Sequence, residues 1–490
     1  MHTPDKKETR EAISRRTTLK GLGTVGGCAL LGSGMGGPLQ AAPPAPADAG
    51  PARKALFEKV FATPLIDTHE HLLEEKERLR GPGRPRVRVD DWSLLLSHYL
   101  DSDLLTCGMP QDEYNRLFSS DVDPVEKWKI LAPYWPFVRS TGYGQAVEIA
   151  MRELYDVPHL GPDTVKKVAE GYDRVRAPGF YRRILCEKAG IESCQVNCLS
   201  RPFMESDLPE LLMQDISIVG MFAGPNIGGY ARPAGIDVKD LDDWHRVMDW
   251  WFAKYGPYAV AVKSQNAYSR DIDYDPVPAE KAQPLFARRL QNAPLDPAET
   301  KALEDHLFWQ AVQKATEAGL PVKLHTGYYA GHNSMPLSRL LRNPGSATDL
   351  CRAAPDARFV FMHICYPYYE EILSVAKQWA NAYIDMCWSW IINPIAAKDF
   401  LKKYLVTAPA NKVLVFGGDY IPVEPVLGHA MIARRGIALA LSELVEEGWL
   451  SLSQAMDLVD PIMHENARRI FNLEAKSKRL RQAPWATGQA

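Results

Sequence analysis

The chain has 490 residues, 46% of them hydrophobic and 24% charged, with a formal net charge of −3. That is the composition of a soluble globular protein, and it is long enough for one α/β barrel of about 250 residues with sizeable additions. Without a long basic or acidic run, the balance argues against nucleic acid as a main partner.

The N-terminus reads as an address. Ser14-Arg15-Arg16-Thr17-Thr18-Leu19-Lys20 precedes a weakly apolar, Gly-rich stretch, Gly21 to Gly37, and an Ala/Pro-rich segment, Leu39 to Ala49. This is the pattern of a twin-arginine export signal, expected over residues 1–42 with cleavage near Ala41 or Ala42. It implies a periplasmic or secreted protein and the twin-arginine machinery as a partner. A disordered arm is the alternative. The apolar stretch is too short and glycine-rich for a stable membrane span. Val25-Gly26-Gly27-Cys28 is a poor site for lipidation of Cys28. Residues 43–63 are expected to be a linker and a leading helix.

Eight short apolar runs follow: Pro64–Asp67, Glu192–Leu199, Ile216–Phe222, Tyr258–Lys263, Pro321–His325, Arg358–His363, Ala382–Met386 and Lys412–Phe416. Between most of them lie helical patterns: Ala177–Ala189, Val238–Tyr255, Lys301–Ala318, Tyr369–Trp379 and Ala396–Leu405. Near-continuous apolar strands alternating with amphipathic helices predict a parallel sheet covered by helices. Eight such units predict a closed (β/α)₈ TIM-type barrel over residues 64–475. A doubly wound open sheet is the runner-up, weakened by the lack of Gly-x-Gly-x-x-Gly after the first strand.

Two stretches exceed a minimal barrel. Residues 72–176 read as a helical insertion after the first strand, and Ser269–Glu299 is rich in Pro, Asp and Ala. Both leave the end of the barrel where strands finish, so each is expected either to cover a site or to be decoration or a homo-oligomer contact. Leu450–Leu473 reads as two C-terminal helices, and 476–490 as a frayed tail. Of eight cysteines, seven lie beyond the signal. Cys194 and Cys198, on one predicted strand, are roughly 13 Å apart, too far for a disulfide. Cys186, Cys365 and Cys387 sit in apolar contexts and read as small core residues.

The chemistry is expected at strand ends, which converge on one face of a barrel. Asp67-Thr68-His69-Glu70-His71 puts two imidazoles on one side of a strand, with Glu70 on the other. His325, followed by Thr326-Gly327, closes another run, His363 a third, and Asp419 follows Gly417-Gly418 after the last. A single strand-end histidine is an ordinary core or loop residue. Four, with a carboxylate, make a set that can hold a divalent ion and activate water. Lys263 ends the fourth run. It is expected to be a carbamylated bridge between two metals, a group that binds a substrate carboxylate or shuttles protons, or a lysine snorkelling at the rim.

This set resembles the amidohydrolase superfamily over roughly Leu65 to Leu473. The resemblance rests on the Asp-Thr-His-Glu-His opening, on Lys263, His325, His363 and Asp419 in that order, and on Glu465-Asn466-Ala467-Arg468-Arg469-Ile470-Phe471, similar to the family's closing helix. Lys263-Ser264 with Ala267-Tyr268-Ser269-Arg270 is similar to the branch called amidohydrolase 2, and the long insertion to uronate isomerases. The resemblance implies a first metal held by His69, His71 and Asp419, a bridging Lys263, and a second metal on His325 and His363. In a mononuclear relative His325 joins the first metal, and His363 stays behind it or touches substrate. It further implies one or two divalent ions per chain, zinc the expected one, with Asp419 taking the proton of the activated water.

Arg270, Tyr268, Tyr328, Tyr366, Trp388 and Trp390 lie just past strand ends. They are candidates for a small-molecule site: the arginine for a carboxylate, the aromatics for an apolar wall. Packing of the barrel rim is their alternative role. The leading expectation is a metal-dependent hydrolase of an amide, ester or lactone on a small, carboxylate-bearing substrate. The alternatives are a decarboxylating lyase or a uronate-isomerase-like enzyme, and a binding protein without catalysis.

Overall fold

The computed structural model describes residues 50–81, 89–222, 224, 227–332 and 334–486. The expected export signal lies outside them. Nine parallel strand segments follow the chain: β1 (Leu65–Glu70), β2 (Ile191–Val196), β3 (Leu212–Gln214), β4 (Ile216–Ser217), β5 (Val262–Ser264), β6 (Val322–Leu324), β7 (Phe359–Met362), β8 (Ala382–Asp385) and β9 (Val413–Leu414). They pair in chain order, β1-β2-β3 and β4 through β9. β3 and β4 are one strand interrupted at Asp215. Asp215 N–H donates to Val196 O at 2.9 Å, while Ile216 N–H donates to Ala261 O at 2.9 Å, so the two arcs are joined there. At the other seam Thr68 N–H donates to Phe416 O at 3.0 Å, Asp419 N–H to His69 O at 2.9 Å and His71 N–H to Tyr420 O at 2.9 Å. The ring is a (β/α)₈ barrel.

The third predicted run is displaced. Its strand begins at Leu212, four residues earlier than the apolar run suggests, and Val219–Met221 is a 3₁₀ turn. The buried Asp215 interrupts the apolar pattern and hid the start. The other strands fall where they are expected because their side chains are apolar and buried on both faces.

Local chemistry sets the helix bounds. Pro297 opens the helix Pro297–Glu317, Asp296 accepts from Glu299 N–H, and Glu299 reaches back to Asp296 N–H. This capping box satisfies two otherwise unpaired donors. The helix Glu424–Glu446 carries no sequence signal, because it is buried on nearly every side and so has no polar stripe. It lies against Gly142–Tyr155 of the insertion, backbone to backbone. A Cβ on Gly428 would come within 1.9 Å of Ala146 O, so only glycine fits. Ser269–Glu299 contains the helix Ala279–Leu290, which the Pro-rich composition masked.

The barrel floor is closed by C-terminal residues: Ile470 and Phe471 pack with Ile66, Met213, Val260, Val360 and Leu414. The expected frayed tail is ordered at its start, since Leu473–Leu480 is helical and the Lys476 ammonium donates to Gly256 O and Pro257 O. The seven described cysteines are unpaired, Cys194 and Cys198 among them. No described helix is long and apolar enough to cross a membrane.

Candidate metal centre

His69 lies on β1 and His71 just past its end, and the loop after β9 brings Asp419 beside them. His69 Nε2 lies 3.4 Å from His71 Nε2, and Asp419 Oδ1 lies 3.2 Å from His69 Nε2 and 3.3 Å from His71 Nε2. His71 Nδ1 faces Asn197 O at 2.9 Å, which fixes the proton on Nδ1 and leaves the Nε2 lone pair pointing inward. His69 Nδ1 faces the Asp215 carboxylate at 3.8 Å, which favours the same tautomer. Gln265 Nε2 approaches His71 Nε2 at 3.1 Å. Two imidazole lone pairs and a carboxylate oxygen converging in a buried site repel one another unless a cation lies between them. This donor set therefore fits a divalent metal.

Burial keeps the imidazoles of the site neutral. It holds His69 well below the usual histidine range, with Lys263 adding to the effect, and brings His363 down to about 3. Neutral imidazoles are the ligand form. Burial pushes Asp419 up to about 7, against the pull of Lys263. It brings Lys263 down to about 8, against Asp419.

The loop that carries Asp419 is clamped. Asp67 Oδ1 accepts from His69 N–H at 3.1 Å and Gly418 N–H at 3.2 Å. Glu70 Oε2 accepts from Tyr420 N–H at 2.6 Å. The insertion adds a third hold: the Tyr99 hydroxyl donates to Asp419 O. Asp419 sits at φ 63°, a left-handed conformation rare for a residue with a side chain.

The other expected residues divide. His363 and Trp388 face this centre, with ring centroids 5.4 Å apart. His325 lies 4.5 Å from His363 by centroid, but its Nε2 faces Tyr328 O at 2.9 Å, and it belongs to neither ligand cluster found among the described residues. The Lys263 ammonium is buried and directed at Met362 Sδ, 2.8 Å away. Tyr268 packs on His325, and Tyr328 bridges Trp388 and Tyr366 at 5.9 and 6.0 Å. Trp390 is core, donating to Val415 O. Arg270 is a correction to the expected carboxylate grip. Its guanidinium is held by Asp305, by Glu304 at 3.0 Å and over the Tyr274 ring. Those acidic partners come some 35 residues later in the chain, where no local motif announces them.

Sequence reasoning missed several groups. His98, Tyr99 and Tyr143 of the insertion wall the centre, with Tyr99 stacked between Tyr143 and Trp388 at centroid distances of 5.2 and 4.8 Å. Beneath the ligands the Lys323 ammonium donates to Thr68 O and to both oxygens of Asp215. Polar residues inside otherwise apolar strands, Asp215 and Lys323, were the available signal.

Residues 286–473 match the model of the family described as Amidohydrolase. The chain is 27% identical over 229 residues to Protein fluG of Emericella nidulans, which it matches over 44% of its own length and 26% of fluG; it thus spans about a quarter of that relative. It is 22% identical to the uronate isomerase of Corynebacterium efficiens, over 88% of this chain and 97% of that one. The crystal structure of a Thermotoga maritima uronate isomerase superposes with a TM-score of 0.69 at 14% identity, covering 86% of this chain and 98% of that one, a likeness of fold. The matched segment is under half of the chain and contains His325, His363 and Asp419, and the likeness to the solved structure is one of fold.

Proposed function

We propose that the chain is a metal-dependent isomerase acting on a small hydroxylated carboxylic acid of the uronate class. The observation that carries this reading is the match to a uronate isomerase over 97% of that protein's length. A divalent ion held by His69, His71 and Asp419 would supply Lewis-acid polarisation of a substrate oxygen. Aldose–ketose exchange moves protons between neighbouring positions and consumes no water. Asp419 is placed for that transfer: with Oδ1 turned to His69 and His71, its carboxylate would take a proton from the substrate and return it. The buried Lys263 ammonium is the positive charge beside it. Tyr99, Tyr143 and Trp388 form an aromatic wall that excludes bulk water.

The test is incubation of metal-loaded and chelated protein with hexuronates, following the ketose by chromatography. Conversion by the loaded form alone supports the reading, and no conversion of any hexuronate overturns it. Hydrolysis of an amide, ester or lactone is the second reading, favoured by the Amidohydrolase match over 286–473; uptake of labelled solvent oxygen into product would select it. Release of CO₂ would select a decarboxylase. Export through the twin-arginine route rests on Arg15 and Arg16. Replacing both with lysine should retain the protein in the cytoplasm on cell fractionation, and normal export would overturn it.

A further inference from the structure

Asp419 belongs to two ligand clusters. Besides His69 and His71, it converges with His363 and Cys387: a ring nitrogen, the Sγ and a carboxylate oxygen all lie within 4.8 Å of one another. All three residues are buried. His363 Nδ1 faces Cys387 O at 3.0 Å, so the proton sits on Nδ1 and Nε2 is left with its lone pair. Nε2 is buried and has no hydrogen-bond partner. Leaving such an acceptor unsatisfied costs about 1–3 kcal/mol, and a cation removes that cost.

The backbone around this cluster is held in an uncommon form. His363 (φ 62°), Trp388 (φ 65°), next to Cys387, and Asp419 (φ 63°) are all left-handed. Such conformations cost roughly 1–3 kcal/mol each and gather where a site demands them. Gly417 leaves the space. A Cβ there would come within 2.8 Å of Cys387 Sγ, so glycine lets the sulfur close on the Asp419 loop.

We propose that His363, Cys387 and Asp419 form a second, sulfur-containing site for a thiophilic divalent cation of the zinc type, sharing Asp419 with the His69–His71 pair. The sulfur binds as thiolate, its proton passing to solvent, and the thiolate and carboxylate offset the charge of the ion beside Lys263. This set differs from the Lys263, His325 and His363 arrangement that the family resemblance implies. His325 is engaged by its own loop, and Cys387 takes its place. The inference rests on Asp419 being a metal ligand.

The test uses the full chain, chelated and reloaded with Co²⁺. Two cobalt ions per chain and a near-ultraviolet sulfur-to-cobalt charge-transfer band are expected. Cys387→Ser should lose the band and one ion, while Cys365→Ser, a nearby buried thiol outside the cluster, keeps both. Because Cys387→Ser alters a packed position, His363→Gln provides an independent arm and should also drop the count from two to one. One bound cobalt without the band in the wild type would overturn the sulfur site and leave the His69–His71–Asp419 centre standing. A chain that binds no cobalt would overturn both.

Discussion

The two ends of the barrel treat charge in opposite ways. At the floor, the cations are satisfied, the buried Arg434 and the exposed Arg468 and Arg481 alike. Arg434 donates to Val60 O, Thr63 O, Ala189 O and Gly190 O. Arg468 pairs with Glu192 at 2.5 Å and Arg481 with Glu210 at 2.7 Å. At the strand ends, lone pairs converge, buried nitrogens lack partners and backbone strain collects. A cavity of 590 Å³ lies at the floor, lined by Arg182, Glu192, Glu210 and Arg468. None of the ligand residues lines that cavity, and uncompensated polarity marks the other end. The floor is built for stability and the top for ligands, the division expected of this fold.

The comparison can be broken in four ways, from the largest expected effect down. Asp419→Asn keeps the shape and most oxygen coordination but removes the proton acceptor, so kcat should fall by about 10²–10⁴-fold with metal content little changed. Steady-state kinetics with elemental analysis checks this, and wild-type kcat would remove Asp419 from the mechanism. Arg434→Met, at the floor, strands several carbonyl oxygens and should cost on the order of 3 kcal/mol in denaturant unfolding, with kcat per folded molecule unchanged. A loss of kcat there would erase the division between the two ends.

Asp385 sharpens it through pH. Burial raises its carboxyl from 3.8 to about 6, so the folded state binds its proton more tightly than the unfolded chain does. The stability this lends is full below the unfolded value and is lost as pH rises through about 6. In chelated protein, Asp385→Asn should therefore gain on wild type between pH 4 and pH 7, by on the order of 3 kcal/mol at most. Parallel pH curves would show that this carboxyl is not strained by burial. Tyr99→Phe removes one donor to the Asp419 loop and should lower kcat by about 3–10-fold, the worth of one hydrogen bond, with a smaller change in melting temperature. No change would mean that the insertion covers the centre without holding it.

Much of this architecture was legible in the sequence. His69, His71, His363 and Asp419 stood out because each ends an apolar run, and a parallel barrel gathers such ends on one face. What the sequence hid was hidden for physical reasons. Tyr99 and Tyr143 reach the site by tertiary packing of a hundred-residue insertion, which no local period encodes. The Glu424–Glu446 helix is buried all round and so lacks an amphipathic stripe. Arg270 has the right chemistry for a carboxylate, but distant Asp305 and Glu304 claim it first. Cys387 resembles any small core residue until its neighbours His363 and Asp419 are placed beside it.

The seam between β1 and the loop after β9 has a consequence for how the chain reaches its native state. Thr68 and Phe416, joined across it, are 348 residues apart in sequence, and the same seam carries the bond from Asp419 N–H to His69 O. Contacts of such separation form late, because loop closure must precede any gain from them. The ligand cluster therefore does not exist on a nascent chain until Asp419 and the strand before it have been synthesised, and the last cylinder edge to zip is the one that completes the centre. A cation that binds only the closed ring would draw the folding equilibrium toward closure by mass action, making the cofactor a latch on the barrel as well as an agent of its chemistry.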